Sequence, residues 1–236
     1  MAPLKVIGAG ASRSGTTSLR AALNILGYKT HNMDDMITEN SNPKLFIEAY
    51  NHPEKPVDWS ELYGDFDAGV ECPTFCFVDR LVEHFPDAKV ILTKREADDW
   101  YRSVLNTLCK VGIQINDDEK KEHVLLNHKM FKTIWLDGLL MDEKTIFEQP
   151  EVAKARYKAH NKRVIETVPA DRLLTLDLQD EITWDKLCNF LDKPVPSEPF
   201  PFLLTTKDFE QKIPSLLEIM KKTKEGKDNY SNSASK

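Results

Sequence analysis

The sequence predicts an α/β protein of three layers, a central and mainly parallel sheet flanked by helices. Three observations predict it. Short apolar runs of strand length alternate with longer segments of helical period, the pattern of strands joined by crossover helices. An apolar run at the N-terminus leads straight into a glycine loop and then a helix, Val6-Ile-Gly-Ala-Gly10-Ala-Ser-Arg13-Ser14-Gly15-Thr16-Thr17-Ser18-Leu19. The chain's 236 residues, 41% of them hydrophobic, suffice for one substantial core.

Leu4, Val6 and Ile7 read as the first buried strand. Thr17 to Leu26 is a helix with Leu19, Ala22, Leu23 and Leu26 on one face, stopped by Gly27. Tyr28 to His31 is a short second strand. Ser41-Asn42-Pro43 opens a helix with proline at its first position, and Asp58 opens another through Tyr63. Ala68 to Glu71 is a short strand, Phe75 to Phe85 a helix stopped at Pro86, and Lys89 to Thr93 the clearest strand. Ala97 to Leu108 returns to helical period through Trp100, Val104 and Leu108. The charged region 110–150, with large apolar residues interspersed, predicts one or two helices over the sheet and is a candidate substrate lid. Glu151 to Thr167 is a long helix, Leu173 to Leu176 a strand, and Thr183 caps a helix through Leu191. Pro194, Pro196, Pro199 and Pro201 hold an extended segment. Residues 221–236, rich in lysine, serine and asparagine, are expected to be a disordered tail behind a single domain over 1–220.

A net charge of −6 argues against a nucleic-acid or polybasic membrane role. No apolar run has the length of a membrane span, and the first strand begins close to Met1 without a signal peptide. A cytoplasmic protein is expected. The four cysteines form no disulfide framework in a chain of this size. Cys72 and Cys76 have a spacing that suits two zinc ligands, but no second close pair follows, and a structural site wants four. No metal is expected, and buried reduced thiols are the better reading.

The glycine loop has the frame of a phosphate-binding P-loop, with Thr16 where the lysine belongs. Strand, loop and helix N-terminus aim backbone N–H groups at an anion, and the helix dipole reinforces them. Without the lysine, Arg13 and the hydroxyls of Ser14, Thr16, Thr17 and Ser18 must meet the ligand's charge. Gly8-Ala-Gly10 also begins a dinucleotide fingerprint, supported by Asp34 and Asp35 further on, but Arg13 stands at its third glycine. A polar-capped tight turn is the plainest alternative, although it needs fewer polar groups than stand around Gly15.

The strand Val90 to Thr93 runs into Lys94-Arg95. In P-loop kinases a magnesium-associated acid is expected about there. An arginine that meets an anion directly has less need of a bridging metal. Ser103 lies about two turns into the next helix, so Arg95 and Ser103 can converge on one phosphate beyond the strand's end, or stand as ordinary surface groups.

Together, Arg13-Ser14-Gly15-Thr16-Thr17, the Arg95…Ser103 spacing and the C-terminal prolines resemble the sulfotransferase superfamily, a P-loop-type fold. The closest likeness is to a divergent small-molecule branch, with further echoes in Phe85-Pro-Asp-Ala-Lys-Val-Ile-Leu-Thr93, Trp100-Tyr-Arg-Ser103 and Trp184 to Leu191. The resemblance runs from Val6 to about Pro201. It implies the donor 3′-phosphoadenosine 5′-phosphosulfate as co-substrate, no metal, and transfer of a sulfonate group to a hydroxyl or amine of a small acceptor. It also implies that Arg13, Ser14, Gly15, Thr16, Thr17 and Ser18 bind the 5′-phosphosulfate and that Arg95 and Ser103 bind the 3′-phosphate. Arg13 would stabilise charge on the leaving oxygen. The superfamily's C-terminal Arg-Lys-Gly motif is missing; Phe202 to Lys207 occupies the comparable region, and Lys94 stands where related chains often have an apolar residue.

The expected general base is Glu71, whose alternative role is to cap the following helix, with His31 second. Phe75, Phe77, Trp59, Tyr63, Met130 and Trp135 either line an acceptor pocket or belong to the core. Three other functions stay open: a nucleotide kinase, an NAD(P)-dependent oxidoreductase or epimerase, and a catalytically silent nucleotide-binding protein. A homodimer is also open.

Overall fold

The structure, a computed structural model, describes residues 4–37, 41–113, 122–180, 182–203 and 205–222. β1 (Val6–Gly8) leads through the glycine loop into α1 (Thr16–Ile25), followed by β2 (Thr30–His31), α2 (Met33–Ile37), α3 (Pro43–Asn51) and α4 (Trp59–Tyr63). β3 (Ala68–Gly69) leads through a 3-10 turn (Thr74–Phe77) into α5 (Val78–His84), and β4 (Lys89–Lys94) into α6 (Ala97–Val104). A π-helical turn (Leu105–Cys109) joins α6 to α7 (Lys110–Ile113). Then come α8 (Glu122–Ile134), α9 (Glu143–Glu148), α10 (Pro150–Thr167), β5 (Leu173–Asp177), α11 (Trp184–Leu191) and α12 (Thr206–Lys222).

The described strands form one sheet in the order β2-β3-β1-β4-β5, and every pair is parallel. The chain builds β2 and β3 on one side of β1 before crossing to β4 on the other. That change of direction leaves a crevice beyond the strands' C-terminal ends, where open α/β sheets bind ligands. Alternation of side chains then divides the core in two. Ile7, Val90 and Leu92 pack with residues of α3 to α6, α8 and α10, whereas Val6, Ile91 and Leu176 pack with α1 and α11. This is the three-layer arrangement expected.

The local signals explain most boundaries. Asp58 caps α4 by accepting from the N–H groups of Ser60 and Glu61, and Pro43 opens α3. The helix expected over 75–85 begins with a 3-10 turn, and the one expected over 97–108 turns π-helical at Leu105. α12 is an element that the sequence reading did not anticipate. Its Phe209, Ile213, Leu216 and Met220 recur at helical spacing, but Pro214 lies inside it and interrupts the pattern. Lys221 and Lys222 belong to α12 rather than to a tail; residues 223–236 lie outside the described residues, as do 114–121 of the candidate lid. No described helix is long and apolar enough to cross a membrane.

Candidate active site

Close backbone packing shapes the loop after β1. A Cβ on Gly10 would lie 2.1 Å from Thr93 Oγ1 and 2.6 Å from Thr93 O, so the loop can lie this near β4 only with glycine there. Gly15, at φ 94, ends the loop and precedes α1. Three long-range bonds hold the loop. The Ala9 N–H donates to Ile91 O at 2.8 Å, His160 Nε2 donates to Ala9 O at 2.7 Å, and Trp100 Nε1 donates to Ser12 O at 3.1 Å. Trp100 is itself fixed by stacking on Tyr157, with centroids 4.3 Å apart.

Two of the expected anion ligands are otherwise engaged. Ser14 is an internal brace: its hydroxyl donates to Ala11 O at 2.7 Å and its N–H reaches the same oxygen at 3.1 Å. Ser18 ties α1 to the C-terminal segment, its hydroxyl accepting from the Leu203 N–H at 2.9 Å. Both hydroxyls therefore serve protein contacts. Thr16 is buried and Thr17 half-buried at the first turn of α1, which no side chain caps. The leading N–H groups of such a helix have no intrahelical partner.

Arg13 occupies left-handed backbone, at φ 74. Its Nε donates to Ser103 Oγ at 3.2 Å, and its guanidinium lies over the Phe209 ring, 4.7 Å from the centroid. Burial pulls the Arg13 guanidinium below its ordinary pKa, with Glu71 opposing and Arg95 adding to the shift. Ser103 also meets Thr206 Oγ1 at 2.9 Å. Arg13 and Ser103 are thus brought together, with Arg95 close enough to act electrostatically on Arg13. The Arg95 main chain is clamped by Tyr157, whose hydroxyl accepts from its N–H at 3.0 Å and donates to its carbonyl at 3.2 Å. Lys94 pairs with Asp177 across β4 and β5, which accounts for that cation structurally.

Glu71 follows β3 and is the second left-handed residue of the site, at φ 63. Its carboxylate caps nothing: the 3-10 turn after it has no side-chain cap, and Phe75 N–H donates to Glu71's main-chain oxygen. The side chain instead lines a largely apolar cavity of about 180 Å³. Burial pushes the Glu71 carboxyl up to about 7; Asp34 adds to the rise, while Arg13 opposes it. A carboxyl titrating near neutrality at the end of an apolar cavity can accept a proton there.

His31 differs in kind. It is 3% exposed, packed edge-on against Tyr63 and Phe66, and burial lowers its pKa to about 4. It is neutral at pH 7, and its Nδ1 has no hydrogen-bond partner. It does not line the cavity.

The structure decides between the two readings of the large apolar side chains. Phe75, Phe77, Trp59, Tyr63, Met130 and Trp135 all belong to the main core, and none lines the cavity. These large side chains lie beneath the sheet and are consumed in packing. The wall comes instead from α2, the π-helical turn, α7, α8, α9 and α12, through residues such as Met33, Leu108, Phe131, Phe147, Phe209 and Leu216. Thr206 and Phe209 are site residues that the sequence reading missed. The apolar spacing that runs on from Phe209 through α12 was the available signal.

The described residues hold no cluster of three or more His, Cys, Asp or Glu suited to a metal ion, and all four cysteines are free thiols.

Comparison with known proteins adds three findings. The profile of the sulfotransferase domain matches residues 5–209. Ava biosynthesis cluster protein M of Aspergillus versicolor is 30% identical over 220 residues, covering 86% of this chain and 82% of that protein. The crystal structure of a sulfotransferase from Alicyclobacillus acidocaldarius aligns over 93% of each chain with a TM-score of 0.48 and 14% identity.

Proposed function

The chain belongs to the sulfotransferase family, and from that premise we propose that it moves a sulfonate group from 3′-phosphoadenosine 5′-phosphosulfate to a hydroxyl or amine of a small acceptor. One observation carries the assignment of roles: the anion loop with Arg13 and the cavity with Glu71 meet at the C-terminal ends of β1 and β3. The kinase, oxidoreductase and silent-binder readings have no comparable support.

The donor supplies an activated sulfonate on a phosphate leaving group. In the transfer, the acceptor oxygen or nitrogen bonds to sulfur as the bond from sulfur to the bridging oxygen breaks, and 3′,5′-adenosine bisphosphate leaves. The N–H groups opening α1, with Thr16 and Thr17, would hold the 5′-phosphate. Arg13 would stabilise the charge growing on the bridging oxygen, and Ser103 orients its Nε. Arg95 and Ser103 would meet the 3′-phosphate. Glu71 takes the acceptor's proton in its ionised form. The residues do this by position and charge without a metal. The free thiols suit a reducing compartment, and we place the protein in the cytoplasm.

The test is transfer from radiolabelled donor to a panel of hydroxylated acceptors. Glu71→Gln should keep its affinity for the bisphosphate while turnover falls roughly 10²–10⁴-fold. Turnover within a factor of about two of the parent would remove Glu71 from the role of base.

A further inference from the structure

Phe209 is a large, half-buried ring that packs against neither apolar cluster of the core. It stands between the two halves of the site instead. The Arg13 guanidinium lies over the ring, 4.7 Å from its centroid, and the same side chain lines the cavity that Glu71 lines. Four residues close a ring of contacts there. Arg13 Nε donates to Ser103 Oγ at 3.2 Å, and Ser103 Oγ meets Thr206 Oγ1 at 2.9 Å. Thr206 precedes Phe209 by three residues, which puts both on one face of α12, and the Phe209 ring returns to Arg13. The helix that carries them is itself docked, since Lys110 Nζ pairs with Glu210 at 2.7 Å and Ile213 is buried. An aromatic face attracts a guanidinium and keeps water from that side of it, so its charge acts in a less screened setting. Held at its Nε edge by Ser103 and on one face by Phe209, the arginine head has little freedom to swing.

We infer that Phe209 is a positioning residue: acting through Arg13, it sets the direction in which the guanidinium meets the leaving oxygen of the proposed sulfotransfer, the reading on which this inference rests. Loss of the ring then costs rate rather than binding, because Arg13 is needed most where charge grows. A ring that served only as cavity wall would do the reverse and move the acceptor's KM.

The experiment measures sulfonate transfer by the full chain and by Phe209→Leu and Phe209→Tyr, with affinity for 3′,5′-adenosine bisphosphate read by calorimetry. Leucine keeps an apolar wall but offers no aromatic face; tyrosine keeps the face. Phe209→Leu should lower kcat about tenfold or more, with the acceptor's KM and the bisphosphate affinity held within about threefold, and Phe209→Tyr should recover most of the rate. In the bisphosphate complex of the parent chain, nuclear Overhauser contacts should join the Arg13 side chain to the Phe209 ring. Their absence overturns the inference whether or not the variants fold. So does a kcat for Phe209→Leu within about twofold of the parent, a loss confined to KM, or a tyrosine variant as slow as the leucine one; all of these leave the sulfotransferase reading in place. A parent chain that transfers sulfonate to no acceptor overturns that reading, and this inference with it.

Discussion

Arg13 and Glu71, the two residues proposed to carry the chemistry, stand on left-handed backbone, at φ 74 and φ 63. That conformation costs a non-glycine residue about 1–2 kcal/mol, and it persists where the surroundings over-determine it. Here the surroundings are the loop braces around Arg13 and the β3 exit at Glu71. Glu71 carries a second cost, because its carboxyl titrates near 7 in the folded protein against an ordinary 4.5. Below about pH 4.5 it is protonated in both states and contributes nothing. As pH rises to 7 the unfolded chain ionises first, so stability falls across that window and stays lowered above it. Glu71→Gln should therefore melt at a higher temperature than the parent at pH 8 and at a similar temperature at pH 4.5, read by thermal denaturation. An equal melting temperature at both values would mean that the carboxyl is not held above its ordinary range. Transfer itself should rise with pH through an apparent value near 7, because the base acts only when ionised. Neither left-handed position is visible in composition or period. The P-loop frame nevertheless points to Arg13.

At the scale of elements, the strand–loop–helix unit was the most legible part of the chain because its glycines answer backbone demands. Gly10 is the sharpest case. Gly10→Ala would drive a Cβ into Thr93 and should destabilise the fold by about 1–3 kcal/mol in urea unfolding, with donor binding lost. Unchanged stability would mean that the loop does not lie against β4 as described. The π-helical turn and α12 were not legible. A π turn depends on one backbone hydrogen bond shifting by a residue, which side-chain period does not report. α12 was hidden by Pro214, yet it reaches both halves of the site. Thr206 meets Ser103, Phe209 covers Arg13, and Leu216 walls the cavity. In the region Phe202 to Lys207, where the Arg-Lys-Gly motif is missing, Thr206 and Lys207 open α12. Trp184 helps to hold the approach to it, its Nε1 donating to Glu198 O at 2.7 Å.

Over the whole molecule, the parallel sheet and its layers followed from the alternation of strands and helices. The cavity did not, because it is assembled from elements distant in sequence. Of the two readings of the large side chains, pocket lining or core, the structure shows core, since large buried rings fill the space beneath the sheet. We regard the described chain as one domain, its two apolar clusters lying on opposite faces of the same sheet. The central claim is that the loop and Arg95 form a metal-independent site for a bisphosphorylated adenosine. Calorimetric titration with 3′,5′-adenosine bisphosphate in the presence of a chelator tests it most directly, beside magnesium ATP and NADH. The account predicts selective binding of the bisphosphate, weakened about tenfold or more by Arg95→Ala. Binding of ATP or NADH in its place, or no loss of affinity in that variant, would contradict it.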